Sequence, residues 1–168
     1  AENTDGETRI RIYNDARTTY MEHYINYKVY GIPKDVMDMH RYPILKVEVG
    51  STPEPENNKW NMFDESMSTR WTTMTVGDTA VFDLGSEKKI DALAVAFWQG
   101  DKRVYKYELS VSNDGETWQK IASTPSEGAG YNLTETGGVT ARYVRYTNLG
   151  NSVNVNGNIL EFAILHKD

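Results

Sequence analysis

The run NMFDESMSTRW, residues Asn61–Trp71, places Asp64, Ser66, Ser68, Thr69, Arg70 and Trp71 close together in the chain. Oxygen-bearing side chains at such short spacing suit a hard cation. Calcium takes roughly six to eight oxygens from carboxylates, carbonyls and hydroxyls and tolerates irregular geometry. Asp64 can offer a carboxylate, Thr69 a hydroxyl, and the backbone of the same loop its carbonyls. The same residues can equally cap the turn through local side-chain to backbone bonds. Spacing alone leaves both readings open.

A second gathering is WQGDKR, Trp98–Arg103, between two apolar runs. Sugars are recognised by planar hydrogen-bonding groups together with a flat apolar face. Here Trp98 offers the face and Gln99 an amide. Lys102 offers a point charge, and Arg103 a fork that fits a carboxylate or vicinal hydroxyls. The plain alternative is a solvated hairpin in which Asp101 pairs with Lys102 or Arg103, and Trp98 is as good a core residue as a platform. A third stretch, GNSVNVNGN, is rich in asparagine. Amides both donate and accept, so Asn151 and Asn154 are candidate sugar contacts, although asparagines also simply make turns. Arg70 can point into the same cleft. Trp71, Trp118, Arg142 and Arg145 read as structural.

Other chemistries find no support. There is no cysteine, hence no disulfide and no thiolate catalysis. His23 and His40 have no partner at zinc-site spacing. No glycine-rich phosphate loop and no Gly-x-Ser-x-Gly elbow occur. The net charge is −6 and the pI about 5.1, which argues against nucleic acid and against anionic membranes. No stretch approaches the roughly 18 apolar residues of a membrane span. Arg17, Tyr20, His23, Tyr24 and Tyr27 include the groups that a polysaccharide lyase uses to remove an acidic proton. An amphipathic element packing its tyrosines explains them more simply.

From Ile44 onward the elements that must position these residues read as β. ILKVEV alternates, AVFDL and IDALAVAFW are short apolar runs, and YKYELSVS puts Tyr105, Tyr107, Leu109 and Val111 on one face. Asn-Asp-Gly marks a tight turn into WQKIA. ARYVRYT and ILEFAIL close the chain. This pattern predicts an all-β, antiparallel sandwich or jelly roll over 44–168 with no helix. GSTPEPENNK is then a long loop inside the sandwich. In residues 1–43, TRIRIY suits a strand. TTYMEHYINYKVYGIP carries both a capping-box helix signal, from Thr19 and Glu22, and a strand alternation. PKDVMDMHRYP suits a helical turn. This front segment is expected to be an appendage packed on the sandwich.

Several of these stretches, in this order, resemble the coagulation-factor type C (discoidin-like) domain, the fold of family 32 carbohydrate-binding modules. NMFDESMSTRW is similar to the family's Asn-x-x-Asp-Gly-x-x-Ser-Thr-x-Trp loop, with Glu65 in place of the usual glycine. AVFDLGSEKKIDALAV, YKYELSVSNDGETWQKIA, ARYVRYTNLGN and ILEFAI resemble the landmarks that follow it. Together they cover about three-quarters of the chain. FWQGDKR is similar to modules attached to polysaccharide lyases, alginate lyases among them. In those modules a tryptophan often precedes the closing glutamate; Asn156 stands at about that place.

The resemblance implies a discoidin-like β-sandwich binding a polysaccharide without catalysing a reaction. It also implies a structural Ca²⁺ held by Asp64 and Thr69, with Glu161 as a second carboxylate brought by the last strand, and a sugar contact by Arg103. The expected partners are an acidic polysaccharide, such as alginate, and a covalently linked catalytic domain of a secreted enzyme. The opening AENTDGE has no signal-peptide pattern, so the chain reads as a mature protein or a piece of a longer one. Three alternatives remain: a module for neutral galactose-type glycans, an adhesion or lipid-contacting domain, and a small lyase. The second needs protruding apolar loop tips, whereas these loops read as polar.

Overall fold

The computed structural model describes the strand backbones of 7–13 and 20–26 and the residues 39–51 and 55–167. Ten strands carry it: β1 (Glu7–Tyr13), β2 (Tyr20–Asn26), β3 (His40–Arg41), β4 (Lys46–Val49), β5 (Trp71–Thr73), β6 (Thr79–Phe97), β7 (Tyr105–Ser112), β8 (Gln119–Pro125), β9 (Tyr131–Asn151) and β10 (Gly157–His166). Among the described residues all pairings are antiparallel. The only helical turns among the described residues are two short 3-10 pieces, Pro55–Asn57 and Lys59–Met62, inside the long loop after β4.

Two strands are longer than their apolar runs predict, because each belongs to both layers of a sandwich. The first part of β6 pairs with β4 and with residues 143–147 of β9. Its register then shifts between Asp83 and Lys88, and again between Ile90 and Ala92, and the rest pairs with β10 and with residues 131–135 of β9. AVFDL and IDALAVAFW are therefore one strand turning a corner, as strands do at bulges. The turn of chain before ARYVRYT, YNLTETGGV, is the unforeseen first half of β9. At the corner Arg142 grips Asp83 with two bonds, Nε to Oδ1 and Nη2 to Oδ2, each 2.9 Å.

The main core lies between the layers. Phe82 stacks on Phe162 with ring centroids 4.2 Å apart, and Phe97 stacks on Tyr105 at 4.5 Å. Tyr105, Tyr107, Leu109 and Val111 are all buried, as their alternation requires, and Trp71 is fully buried. On β6, Leu93, Val95 and Phe97 enter this core. Ala92, Ala94 and Ala96 join a second buried cluster with Met39, Leu160, Ala163 and Leu165. Coverage on both faces explains why IDALAVAFW reads as a continuous apolar run.

In the front segment β1 and β2 form a hairpin in which Glu7 pairs with Asn26 and Tyr13 with Tyr20. TRIRIY is thus a strand, and the strand alternation prevails over the capping-box signal. Most of PKDVMDMHRYP lies outside the described residues; its end is extended and forms β3.

Candidate functional site

The oxygen-rich loop meets the last strand. Asp64 Oδ1 accepts the Ser66 N–H at 3.0 Å, and Oδ2 accepts the Thr69 hydroxyl at 2.7 Å. Glu65 takes the glycine-like backbone conformation, φ 64°, and aims its N–H at Glu161 Oε1, 2.9 Å away. Glu161 is completely buried on β10. Its other oxygen pairs with Arg41 Nη1 of β3 at 3.2 Å, and Arg41 Nη2 also donates to the Phe162 carbonyl. Burial pushes the Glu161 carboxyl up to about 7, while the Arg41 guanidinium pulls the other way and the nearby Asp64 carboxylate adds to the rise. Asp64, Thr69 and Glu161 therefore gather at one brace between the first loop of the sandwich and its last strand. No three His, Cys, Asp or Glu side chains form a metal-binding group among the described residues. A cation there would draw its remaining oxygens from hydroxyls and backbone.

The second gathering sits where β6 ends and β7 begins. Gln99 has φ 52°, uncommon for a residue with a side chain, and its carbonyl accepts the N–H groups of Lys102 and Arg103, each at 2.9 Å. This ties residues 98–103 into a tight turn. Trp98 is half-buried, and the Arg70 guanidinium lies over its ring, 4.6 Å from the centroid. The Arg70 Nε is buried without a hydrogen-bond partner among the described residues. The Tyr105 hydroxyl donates to the Trp98 carbonyl at 2.7 Å and accepts from Asn158 Nδ2 at 3.3 Å. Burial raises the pKa of this phenol; the Asn158 bond and the Arg103 guanidinium, and further off Arg70, act against the rise. Arg103 thus acts on this hydroxyl while Arg70 covers the indole beside it. Lys102 is exposed and Arg103 half-buried. Among the described residues Asp101 forms no salt bridge with either.

Asn151 and Asn154 lie on the adjoining loop, with their amides turned to its construction. Asn151 Oδ1 accepts the N–H groups of Val153 and Asn154, and its Nδ2 donates to Asn154 Oδ1 and to the Asn156 carbonyl. Asn154 Oδ1 also accepts the Asn156 N–H. Buried Asn148 joins this loop to the one before β6: its Nδ2 donates to the carbonyls of Thr75 and Val155, both at 2.8 Å, and its Oδ1 accepts the Gly150 N–H. Gly157 is packed so closely here that a Cβ would come within 2.9 Å of the Asn148 amide.

Two features escaped the sequence reading. These loop tips are not polar: Met74, Val76, Val153 and Val155 are all exposed. Trp60, on the second 3-10 turn, is 59% exposed, with Lys59 over its ring. Alternation finds strands but is silent on loops, so neither carried a usable signal. Trp118 is half-buried rather than core. Arg145 stacks on it at 4.1 Å. Trp118 lines a cavity of about 310 Å³ with Asn113, Thr117, Gln119 and Thr140, at the other end of β7 from Arg103.

The family description "F5/8 type C domain" matches residues 47–162. Among solved structures, the family 32 carbohydrate-binding module of AlyQ, in complex with 4,5-unsaturated mannuronic acid, is 31% identical, with a TM-score of 0.71 over 76% of this chain and 98% of that one. A truncated AlyQ with this module and its alginate lyase domain is 32% identical, TM-score 0.72; the match covers 76% of this chain and only 33% of that one. A family 32 module produced by Clostridium perfringens is 27% identical, TM-score 0.60, covering 73% and 93% of the two chains. No curated protein matches the sequence.

Proposed function

Because this chain belongs to the F5/8 type C family, we propose that it is a non-catalytic carbohydrate-binding module of the family 32 kind whose ligand is an acidic polysaccharide such as alginate. The observation that carries the acidic specificity is a cluster of cations. Arg70 and Arg103, with Lys102 beside them, stand by a half-buried indole with no carboxylate paired to them among the described residues. A uronate supplies what such a cluster lacks, a carboxylate for the guanidinium fork. The likeness to a module crystallised with an unsaturated mannuronic acid supports the same choice. The net charge of −6 opposes attraction at a distance. At contact it matters little, since screening sets in within about 8 Å at physiological salt. Part of a larger secreted polysaccharide-degrading enzyme is the role this fits, with weak binding strengthened by tethering to the catalytic domain.

The donor set of Asp64, Thr69 and Glu161 is all oxygen and suits calcium in kind. A bound ion would tether the loop of 61–70 to β10 and take no part in a reaction. Asp64 and Thr69 would hold it from the loop side and Glu161 from the strand.

The test is electrophoresis in gels containing alginate or, separately, a neutral galactan. Retardation by alginate, with Arg103→Ala about tenfold weaker, is the expected result. Retardation by galactan alone would move the ligand to the neutral class, and product release would make the chain a lyase. Chelation tests the ion separately. A ligand at a hundred times its Kd adds about 2.7 kcal/mol, so a chelator should lower the melting temperature by roughly 5–10 °C. An unchanged melting curve removes calcium.

A further inference from the structure

Six of the nine exposed large apolar side chains among the described residues stand at one end of the sandwich: Met74, Val76, Val104, Leu149, Val153 and Val155. Single exposed apolar residues are ordinary, whereas a cluster marks a contact surface. The cluster is held rigidly. Asn148 bonds to both the Thr75 and the Val155 carbonyls. Gly150 lies between the two tips, where a Cβ would sit 3.5 Å from Val155 Cα and 3.7 Å from a Val76 methyl. The rim also adjoins the arginine cluster. Val104 follows Arg103 directly, and its N–H and carbonyl bond to the Ser152 hydroxyl and N–H at 3.1 and 2.9 Å. The Trp98 N–H bonds to the Asn158 carbonyl at the loop's other end.

We propose that this apolar rim recognises O-acetyl groups on the acidic polysaccharide held by the adjoining arginine cluster; the proposal rests on the acidic reading given above. Rim side chains are methyl-bearing and none is aromatic, so they suit a small acyl group and offer no platform for a sugar face. An O-acetyl group leaves the uronate charge in place for Arg103 and Lys102, whereas a methyl ester would remove it. One polymer can therefore satisfy the cationic cluster and the apolar rim at once. An anionic lipid surface is disfavoured by the net charge of −6 and by the small size of the tips.

The test compares one uronate polymer in two forms, O-acetylated and the same sample deacetylated with mild base, by affinity gel and calorimetry. The wild-type chain should prefer the acetylated form by roughly fourfold for each methyl group it buries. In the double variant Val153→Ser, Val155→Ser, whose positions are 64% and 51% exposed, the affinity for the acetylated form should fall to that for the deacetylated one. A melting curve checks that the variant is folded, and Val76→Ser serves in its place if it is not. Equal wild-type affinity for the two forms overturns the rim proposal and leaves the acidic reading standing. Binding to neither form overturns both. Co-sedimentation with anionic phospholipid vesicles in place of polymer binding assigns the rim to lipid and overturns it as well.

Discussion

The brace around Glu161 and the rim around Asn148 both join a loop to the neighbourhood of β10, yet they handle their polar groups in opposite ways. In the brace, charged side chains close on one another: Arg41 on Glu161, and Glu161 on the backbone of the Asp64 loop. The result is a fastening with its central carboxylate fully buried. In the rim, neutral amides close on backbone, and the groups left exposed are Lys102 and a set of small apolar tips, with half-buried Arg70 and Arg103 beside them. A loop rich in asparagine is therefore a stiff mount here. Recognition falls to the residues it holds up and to the exposed Asn154 Nδ2, because the Asn151 amide, with its bonds made inside the loop, has little left for a ligand.

Two substitutions probe that contrast, and a third probes the corner of the sandwich. Glu161→Ala strands the Arg41 guanidinium, whose side chain is only 12% exposed, and leaves the Glu65 N–H without an acceptor. Breaking a buried pair costs about 3 kcal/mol or more, so the melting temperature should fall by roughly 6–12 °C. A wild-type melting curve would mean that the brace fastens nothing. Asn148→Ala removes three bonds from two loops, at about 2 kcal/mol. It should also weaken polysaccharide binding, because the rim loses its mount. Lost stability with intact binding would separate the mount from recognition.

The smallest effect belongs to the corner. The Arg142 guanidinium holds the Asp83 carboxyl below its ordinary range. Its stabilisation is present above the unfolded-state pKa near 3.8 and is lost as pH falls through the lower folded value. Asp83→Asn should cost about 1 kcal/mol at neutral pH for this partly exposed pair. The gap to wild type should close in acid, read as a difference in melting temperature between pH 7 and pH 2. Asp114, held low chiefly by the N–H groups of Thr117 and Glu116, titrates in both proteins and cancels in that difference.

The strands from Lys46 to the end were legible because alternation reports directly which face is buried. YKYELSVS and ILEFAIL are strands at the expected places, and the sandwich class followed from them. Two limits of that signal show in particular residues. It cannot see a bend, so β6 looked like two strands. Nor can it rank rivals when one stretch carries two periods: TTYMEHYINY held a helix signal and a strand signal, and pairing with β1 decided between them. In the candidate site, residue types at short spacing revealed which groups were available: Asp64 with Thr69, and Trp98 with Arg103. They also pointed to Asn151 and Asn154 as contacts; spacing does not show that the Asn151 amide makes its bonds inside the loop, whereas Asn154 is exposed and, of its amide, only Oδ1 is bonded there.

By itself, then, the order of residue types determined the layers, the buried faces and the list of groups able to bind an ion or a sugar, since periodicity and side-chain chemistry are local properties. Only the tertiary structure decided which of those groups meet. Glu161 lies 96 residues from Glu65 yet accepts its N–H, and Arg70 reaches the Trp98 ring from another loop. Valines that look unremarkable in sequence become a rim because Asn148 fastens two distant loops together. Contacts of that kind depend on where the corner of β6 and the register of β10 put each loop, and no local pattern encodes them.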